Sequence, residues 1–278
     1  MSVLRPNLFR GSVAIVTGGG SGIGRAITYE LLTLGCKVVI ASRNAERLEK
    51  AAKELGEVGD VTSIPCNIRK EEEVQALISQ ALEKYGKLDF LVNNGGGQFM
   101  SPVESMSLKG WNAVVETNLT GTFLMCREAY NQWFKANGGS IVNIVADMWR
   151  GFPMMAHTGA ARHAVVNLTQ SLAIEWAEDG VRVNSVAPGM VESSTAAANY
   201  GKEANVFDVV KEYLPTKRTG VPDEVSSVVC FLLSPGASFI SGTTIKVDCG
   251  SSLYTRLMWN IDNHDKLPAY QWIPKPKL

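Results

Sequence analysis

"TGGGSGIG", Thr17–Gly24, is the stretch on which the fold turns. It follows "VAIVT" (Val13–Thr17), a short β-branched run that reads as a buried strand, and it opens "IGRAITYELLTLG", which reads as a helix. Gly18, Gly22 and Gly24 let the backbone turn sharply and approach a pyrophosphate closely. The helix N-terminus adds unpaired N–H groups and a partial positive charge. A lone glycine pattern says little, but one set between a strand and a helix has the context that a dinucleotide-binding turn requires. Thr17, Gly18, Gly20, Ser21, Gly22, Ile23 and Gly24 are therefore the expected phosphate-side contacts. A merely tight strand-to-helix turn is the alternative.

The alternation continues outward. "KVVIAS", "VTSIP", "DFLVNN", "SIVNIV", "VRVNSVAP" and "TTIKVD" read as further strands. Between them "AERLEKAAKEL", "EEEVQALISQALEKYG", a long stretch from Lys109 to Asn137, Gly159 to Trp176 and "PDEVSSVVCFLLS" read as helices, the last with Pro222 near its first turn. This predicts an α/β chain of one domain: a Rossmann-type doubly wound fold, with a seven-stranded parallel sheet and helices on both faces. Residues 1–10 read as an N-terminal extension, 11–250 as the domain and 251–278 as a tail. The tail carries Trp259, Tyr270 and Trp272 without a clear period. It is expected to pack on a neighbouring subunit or to cover a substrate entrance.

Composition narrows the partners. Hydrophobic residues make up 45% and charged residues 19% of 278, which suits a sizeable core. Lys+Arg and Asp+Glu both number 27, so the net charge is zero and there is no overall basic footprint for nucleic acid or anionic lipid. Neither a nucleic-acid nor a membrane partner is expected. No segment approaches the roughly 20 apolar residues that span a bilayer. The five cysteines (Cys36, Cys66, Cys126, Cys230, Cys249) are scattered without a CxxC pair, so no metal is expected and reduced thiols in a cytoplasmic compartment are. The sequence ends in Pro276, Lys277 and Leu278, one residue away from the peroxisomal tripeptide, which keeps a peroxisomal location as the alternative.

The second strand ends in "ASRN" (Ala41–Asn44). A site reading the free ribose 2′-OH usually has an acidic residue there. Ser42 and Arg43 stand in its place, and a guanidinium suits the 2′-phosphate of NADPH where a carboxylate would repel it. A solvated arginine opening the next helix is the plainer reading.

With "TGGGSGIG", "NNGGG" (Asn93–Gly97), "TNLTGTF" (Thr117–Phe123), "RVNSVAPG" (Arg182–Gly189) and "SGTTIKVDCG" (Ser241–Gly250) in this order, the chain resembles the short-chain dehydrogenase/reductase family. The resemblance implies that Cys66, Asn67 and Ile68 flank the adenine. Asn93 and Gly95 would support the cofactor beside the fourth strand. Pro188, Gly189 and Val191 would lie near the nicotinamide, Thr195 near its amide or the phosphates, and Arg162 against its ribose. Asn118 matches the family's catalytic asparagine.

Three other family positions are altered. Counting back from "LTQSLA" (Leu168–Ala173), the family lysine falls on Arg162 and the tyrosine on Thr158. The serine falls on Val145 or Ala146, neither of which has a hydroxyl. "LVNNGGGQF", "GWNAVVETNLTGTF", "HTGAAR" and "PDEVSSVVCFLLSP" are similar to the peroxisomal-type trans-2-enoyl-CoA reductases of this family and, more distantly, to its 2,4-dienoyl-CoA reductases.

The altered set fits such chemistry. Ketone reduction leaves a strongly basic alkoxide that needs a positioned acid. Reduction of an enoyl thioester instead gathers charge on the thioester oxygen as an enolate, which needs hydrogen-bond donors. Thr158 offers a hydroxyl. Arg162 offers a permanent charge but no acid, since a guanidinium stays protonated. His157 is expected at the surface as a helix-start or capping residue, with contact to substrate or enolate as the alternative. Met148, Trp149, Phe152, Met154 and Met155 suggest an apolar wall for an acyl chain, and Lys202 and Lys211 contacts for phosphates. Solvent-facing lysines and ordinary loop packing explain these equally well. The expected function is NADPH-dependent reduction of a 2-enoyl-CoA, and the family resemblance implies a homodimer or homotetramer built on Trp111 to Phe134 and Gly159 to Trp176. A carbonyl reductase with a relocated acid (Tyr200, Tyr213, Tyr254 or Tyr270) and a catalytically inactive NADP-binding sensor or partner protein are the competing readings.

Overall fold

"VAIVT" forms strand β1 (Val13–Thr17), all five residues of which are buried. Burial on both faces is what a parallel sheet sandwiched between helix layers imposes on its central strands. The computed structural model describes residue 2 and residues 4–193, 206–256 and 259–272. From β1 the chain runs through α1 (Gly22–Thr33), β2 (Lys37–Ser42), α2 (Ala45–Leu55), β3 (Val61–Pro65), α3 (Glu71–Tyr85) and β4 (Phe90–Asn93). The second half holds α4 (Leu108–Val115), α5 (Gly121–Ala129), α6 (Lys135–Asn137), β5 (Gly139–Ile144), α7 (Ala156–Glu175), β6 (Val181–Pro188), α8 (Val206–Lys211), α9 (Pro222–Leu233) and β7 (Thr244–Val247).

The seven strands form one parallel sheet in the order β3-β2-β1-β4-β5-β6-β7. The chain winds outward from β1 to β3 and then crosses back to lay β4 on the other side of β1. Thr17 is in register with Ala41 of β2, and Val16 with Val92 of β4. The reversal opens a crevice at the carboxyl ends of β1 and β4, where ligands of such sheets bind. Both glycine-rich segments, Thr17–Gly24 and Asn93–Gly97, leave the sheet there.

Successive strand residues feed opposite layers. Ala14, Val16, Val38 and Ile40 pack with Ile27 and Leu31 of α1 and Val225 and Val229 of α9. Ile15, Val39, Leu91 and Ile141 pack with Leu77 of α3, Met125 of α5 and Leu172 of α7. This second layer also carries a buried polar chain. Asn93 Nδ2 donates to Asn143 Oδ1 (2.8 Å), Asn143 Nδ2 to Thr169 Oγ1 (2.9 Å), and Ser185 Oγ to the same hydroxyl (2.9 Å).

Two elements differ from the sequence expectation in a way that matters for the site. The stretch from Lys109 to Asn137 is not one regular helix. A π-helical turn over Glu116–Thr120 separates α4 from α5, and a second over Tyr130–Phe134 separates α5 from α6. Thr117 Oγ1 donates back to Ala113 O (2.7 Å) and Thr122 Oγ1 to Asn118 O (2.9 Å), bonds that compete with the regular ladder. Asn118 lies inside the first of these turns. Secondly, α7 begins at Ala156 rather than Gly159, so His157 and Thr158 stand in its first turn.

The described part of the tail runs along its own chain. Arg218 Nε donates to Leu267 O (2.6 Å), Trp272 N to Asp223 Oδ2 (3.2 Å), and the Trp272 ring packs on Tyr29 of α1 at 5.2 Å. Trp259 is exposed. No described helix is long and apolar enough to cross a membrane, and no group of metal-ligating side chains occurs among the described residues. Pro276, Lys277 and Leu278 lie outside the described residues, as do Thr195, Tyr200 and Lys202.

Candidate active site

The glycine turn is held from the β4 side. Thr17 Oγ1 accepts from Asn94 N (3.0 Å) and Gly95 N (2.8 Å), and Asn94 Nδ2 donates to Thr17 O (3.0 Å). Gly18 has φ +66°, a left-handed backbone, and a Cβ on Gly24 would stand 2.3 Å from Gly18 O. No side chain but hydrogen fits there. Ser21 precedes α1 in extended conformation and places no side-chain cap on the helix, so the N–H groups of its first turn face the turn uncovered. At the end of β2, Ser42 is half-buried, while Arg43 is exposed and makes no ion pair among the described residues. Asn44 caps α2 by accepting from Arg47 N (2.8 Å). A tight cradle and an uncapped helix N-terminus fit the phosphates of a nicotinamide dinucleotide.

The remaining cofactor positions divide. Ile68 packs where side chains on Gly95 and Gly121 would sit. Asn67 N donates to Glu73 Oε2 (2.7 Å). Cys66 is buried, which pushes its thiol up to about 12. Pro188 O accepts from Asp147 N (3.0 Å), Gly189 N donates to Val247 O (3.0 Å), and Val191 is buried. Asn93 ends β4. Its side chain turns into the core, donating to Cys126 Sγ (3.2 Å) and Asn143, because a residue one step earlier in the strand faces the opposite layer. Asn94 is the asparagine that holds the turn.

The altered family residues meet in one hydrogen-bonded cluster. Asn118 Oδ1 accepts from Gly97 N (2.9 Å), and Asn118 Nδ2 donates to Gly97 O (2.8 Å). A backbone N–H only donates and a carbonyl only accepts, so this reciprocal pair fixes which end of the amide is nitrogen. The second Nδ2 proton goes to Thr158 Oγ1 (3.1 Å). Arg162 Nε donates to the same oxygen (3.2 Å), while its Nη1 donates to Ile144 O (2.9 Å) and Val145 O (3.3 Å) at the end of β5. A hydroxyl has two lone pairs and one proton. Two donors occupy the lone pairs of Thr158, and its own proton has no acceptor among the described residues. The guanidinium and the Asn118 amide both lie against Gly96, where a Cβ would come within 2.8 Å of each.

His157 is fully buried, with its ring edge-on to Phe99 at 4.5 Å, so its place is not the surface. The apolar wall is also revised. Met148 and Met155 are buried, Met148 in a small cluster with Val145, Val165 and Ala187, with Trp149 and Phe152 packed against it. Only Met154 stands exposed, with φ +65°. Lys211 pairs with Asp208 (2.8 Å). Of the tyrosines considered as relocated acids, Tyr254 turns its hydroxyl to Ile261 N (3.1 Å), and Tyr213 lies under the Arg256 guanidinium.

Two carboxylates escaped the sequence reading. Asp147 follows β5 and donates its N–H to Pro188 O, and Asp248 follows β7 and lies against Gly189. Burial, reinforced by Asp248, holds the Asp147 carboxyl above its ordinary range. For Asp248 burial acts in the same direction, but bonds from Ser252 and Gly250 bring it below that range. Their position just past the ends of two strands was the available signal.

Comparisons with known proteins agree with this geometry. A family profile described as Enoyl-(Acyl carrier protein) reductase matches residues 18–252. A peroxisomal 2,4-dienoyl-CoA reductase of Danio rerio is 37% identical over 254 residues, covering 90% of this chain and 85% of its own. A probable 2,4-dienoyl-CoA reductase of Bacillus subtilis (strain 168) is 35% identical over 86% of this chain and 96% of its own. Among solved structures, a citronellol catabolism dehydrogenase of Pseudomonas aeruginosa PAO1 is 47% identical with a TM-score of 0.81, covering 90% of this chain and 99% of that one. An actinorhodin polyketide ketoreductase solved with NADPH is 32% identical with a TM-score of 0.82, over 90% and 100% of the two chains.

Proposed function

Since the chain belongs to the short-chain dehydrogenase/reductase family, as an oxidoreductase of the enoyl-CoA reductase type, we propose that it reduces a carbon–carbon double bond conjugated to an acyl thioester, using NADPH. The observation that carries this reading is the Thr158 hydroxyl, whose lone pairs are filled by Asn118 and Arg162 and whose proton is left to give. A donor fixed in this way suits an oxygen on which charge develops, and Thr158 is buried, where such a bond is strengthened by the low dielectric. A bound nicotinamide would supply the hydride, to the β-carbon of a 2-enoyl thioester or the δ-carbon of a 2,4-dienoyl one, and water would supply the proton that the α-carbon takes. Thr158 then holds the enolate oxygen, Asn118 and Arg162 orient and polarise Thr158, and Arg162 adds a fixed positive charge that never leaves as a proton.

Residues that would hold the cofactor are Gly18 to Gly24 on its phosphates, Arg43 on a 2′-phosphate, and Arg162 beside its ribose. Neither Thr158 nor Arg162 is an acid of the strength that an alkoxide demands, which disfavours ketone reduction. The names of the relatives support a 2-enoyl-CoA or a 2,4-dienoyl-CoA as substrate. Exposed Phe123 and Ile174, on α5 and α7, support a homodimer or homotetramer joined through those helices.

The test follows NADPH absorbance with a trans-2-enoyl-CoA, a 2,4-dienoyl-CoA and a 3-oxoacyl-CoA. Oxidation with either conjugated thioester and little with the 3-oxoacyl thioester is expected. Ready reduction of 3-oxoacyl-CoA with both conjugated substrates inert overturns the reading. NADPH binding without any turnover favours a non-enzymatic role.

A further inference from the structure

His157 stands next to Thr158 in the first turn of α7, fully buried, and neither Nδ1 nor Nε2 has a hydrogen-bond partner among the described residues. In any protonation state an imidazole carries at least one N–H, so a donor is enclosed in the protein without an acceptor. Buried polar side chains in folded proteins are rarely left this way, and a catalytic role is one of the explanations that such a group calls for.

Three observations locate the ring. It lies edge-on to Phe99, in the loop that follows β4. Gly97 of the same loop is the residue bonded to Asn118. The loop is tied to the start of α7 by Ser101 N donating to Met154 O (2.8 Å). His157, Thr158, Asn118 and Arg162 thus all border one loop. Two consecutive residues of α7 carry a proton without an acceptor among the described residues, the hydroxyl proton of Thr158 and an N–H of His157.

We propose that His157 is a second donor to the thioester oxygen, so that adjacent side chains of α7 bind the two lone pairs of one carbonyl. This rests on the enoyl thioester reading above. A carbonyl oxygen accepts two hydrogen bonds, and both strengthen as the enolate forms. The step changes no bond at His157, which keeps its proton throughout. The arrangement favours substrates whose charge gathers on a single oxygen.

His157→Phe keeps an aromatic edge against Phe99 and removes the donor. His157→Gln restores an N–H donor on a flexible arm of similar length. With a trans-2-enoyl-CoA, kcat is expected to fall about 30- to 1000-fold in His157→Phe. NADPH affinity should be unchanged, and His157→Gln should recover part of the loss. In the wild-type protein, adding dodecanoyl-CoA with NADPH should shift the ring ¹⁵N resonances of His157. If the wild type turns over and His157→Phe matches it, the inference is wrong while the enoyl reading stands. If the wild type is inert toward conjugated thioesters, that reading fails, and the ¹⁵N experiment judges His157 alone. Unmoved resonances overturn the inference, and a variant too unstable to assay is replaced by that same measurement.

Discussion

Replacing Thr158 with Val exchanges a hydroxyl for a methyl and nearly preserves shape. If the hydroxyl proton holds the thioester oxygen, Thr158→Val should lose about 10²–10³ in turnover of an enoyl-CoA, and Thr158→Ser should retain most of it. Equal rates for Thr158→Val and wild type would move the oxygen site elsewhere. Arg43 makes a separate prediction. A charge-assisted bond to a phosphate is worth about 1.5–3 kcal/mol, so Arg43→Asp should cost NADPH roughly tenfold to a hundredfold in affinity and leave NADH preferred. Fluorescence titration of both cofactors decides it, and equal affinities in the wild type would count against the assignment. Counting along the sequence was enough to put Thr158 and Arg162 in the altered positions. It could not show the direction of the Asn118 amide, which Gly97 decides from 21 residues away. Nor could it show that the Asn93 side chain faces the core while Asn94 bonds to the glycine turn, since the strand's end is where the alternation of faces stops being readable.

The turn between β1 and α1 works because its backbone passes very close to itself. A methyl on Gly24 would meet Gly18 O at 2.3 Å, and that contact is with backbone, which cannot swing aside. Gly24→Ala should therefore weaken NADPH binding by about tenfold or more and lower stability by about 1–3 kcal/mol. Isothermal titration and thermal melting measure the two, and unaltered NADPH affinity would show that the cradle has slack. At this scale the sequence was most legible where apolar spacing and punctuation agree. "AERLEKAAKEL" and "VTSIP" have the observed bounds of α2 and β3. The π-helical turns were not legible, because one extra residue per turn barely disturbs an amphipathic pattern while threonine hydroxyls redirect the backbone bonds. The site depends on one of them, since Asn118 lies within it.

That the sheet is parallel and seven-stranded was legible in the alternation of strands and helices, whereas its order, β3-β2-β1-β4-β5-β6-β7, came with the structure. So did the path of the tail, as its contacts are single residues without a period. Where α1 meets α9, Glu30 is buried and accepts from Ser2 Oγ (2.5 Å) and Ser226 Oγ (2.6 Å). Burial holds its carboxyl above the ordinary range, despite the hydroxyls and with Asp223 adding to the rise. The folded chain therefore keeps this proton to higher pH than the unfolded chain. The stability it contributes is complete below the unfolded value, about 4.3, and is lost as pH rises through the raised one. Glu30→Gln lacks that loss, so its stability relative to wild type should grow from pH 4 to pH 8 in urea unfolding. A difference that stays constant with pH would contradict the burial argument. The same seam joins the two described extremities of the chain. Ser2 bonds to Glu30, and Trp272 packs on Tyr29, the residue beside it on α1. Ends this close can be spliced by a bridge of about ten residues at little loop-closure entropy. A circularly permuted chain, reopened at the exposed turn between Gly86 and Lys87, should fold to the same sheet and keep its cofactor.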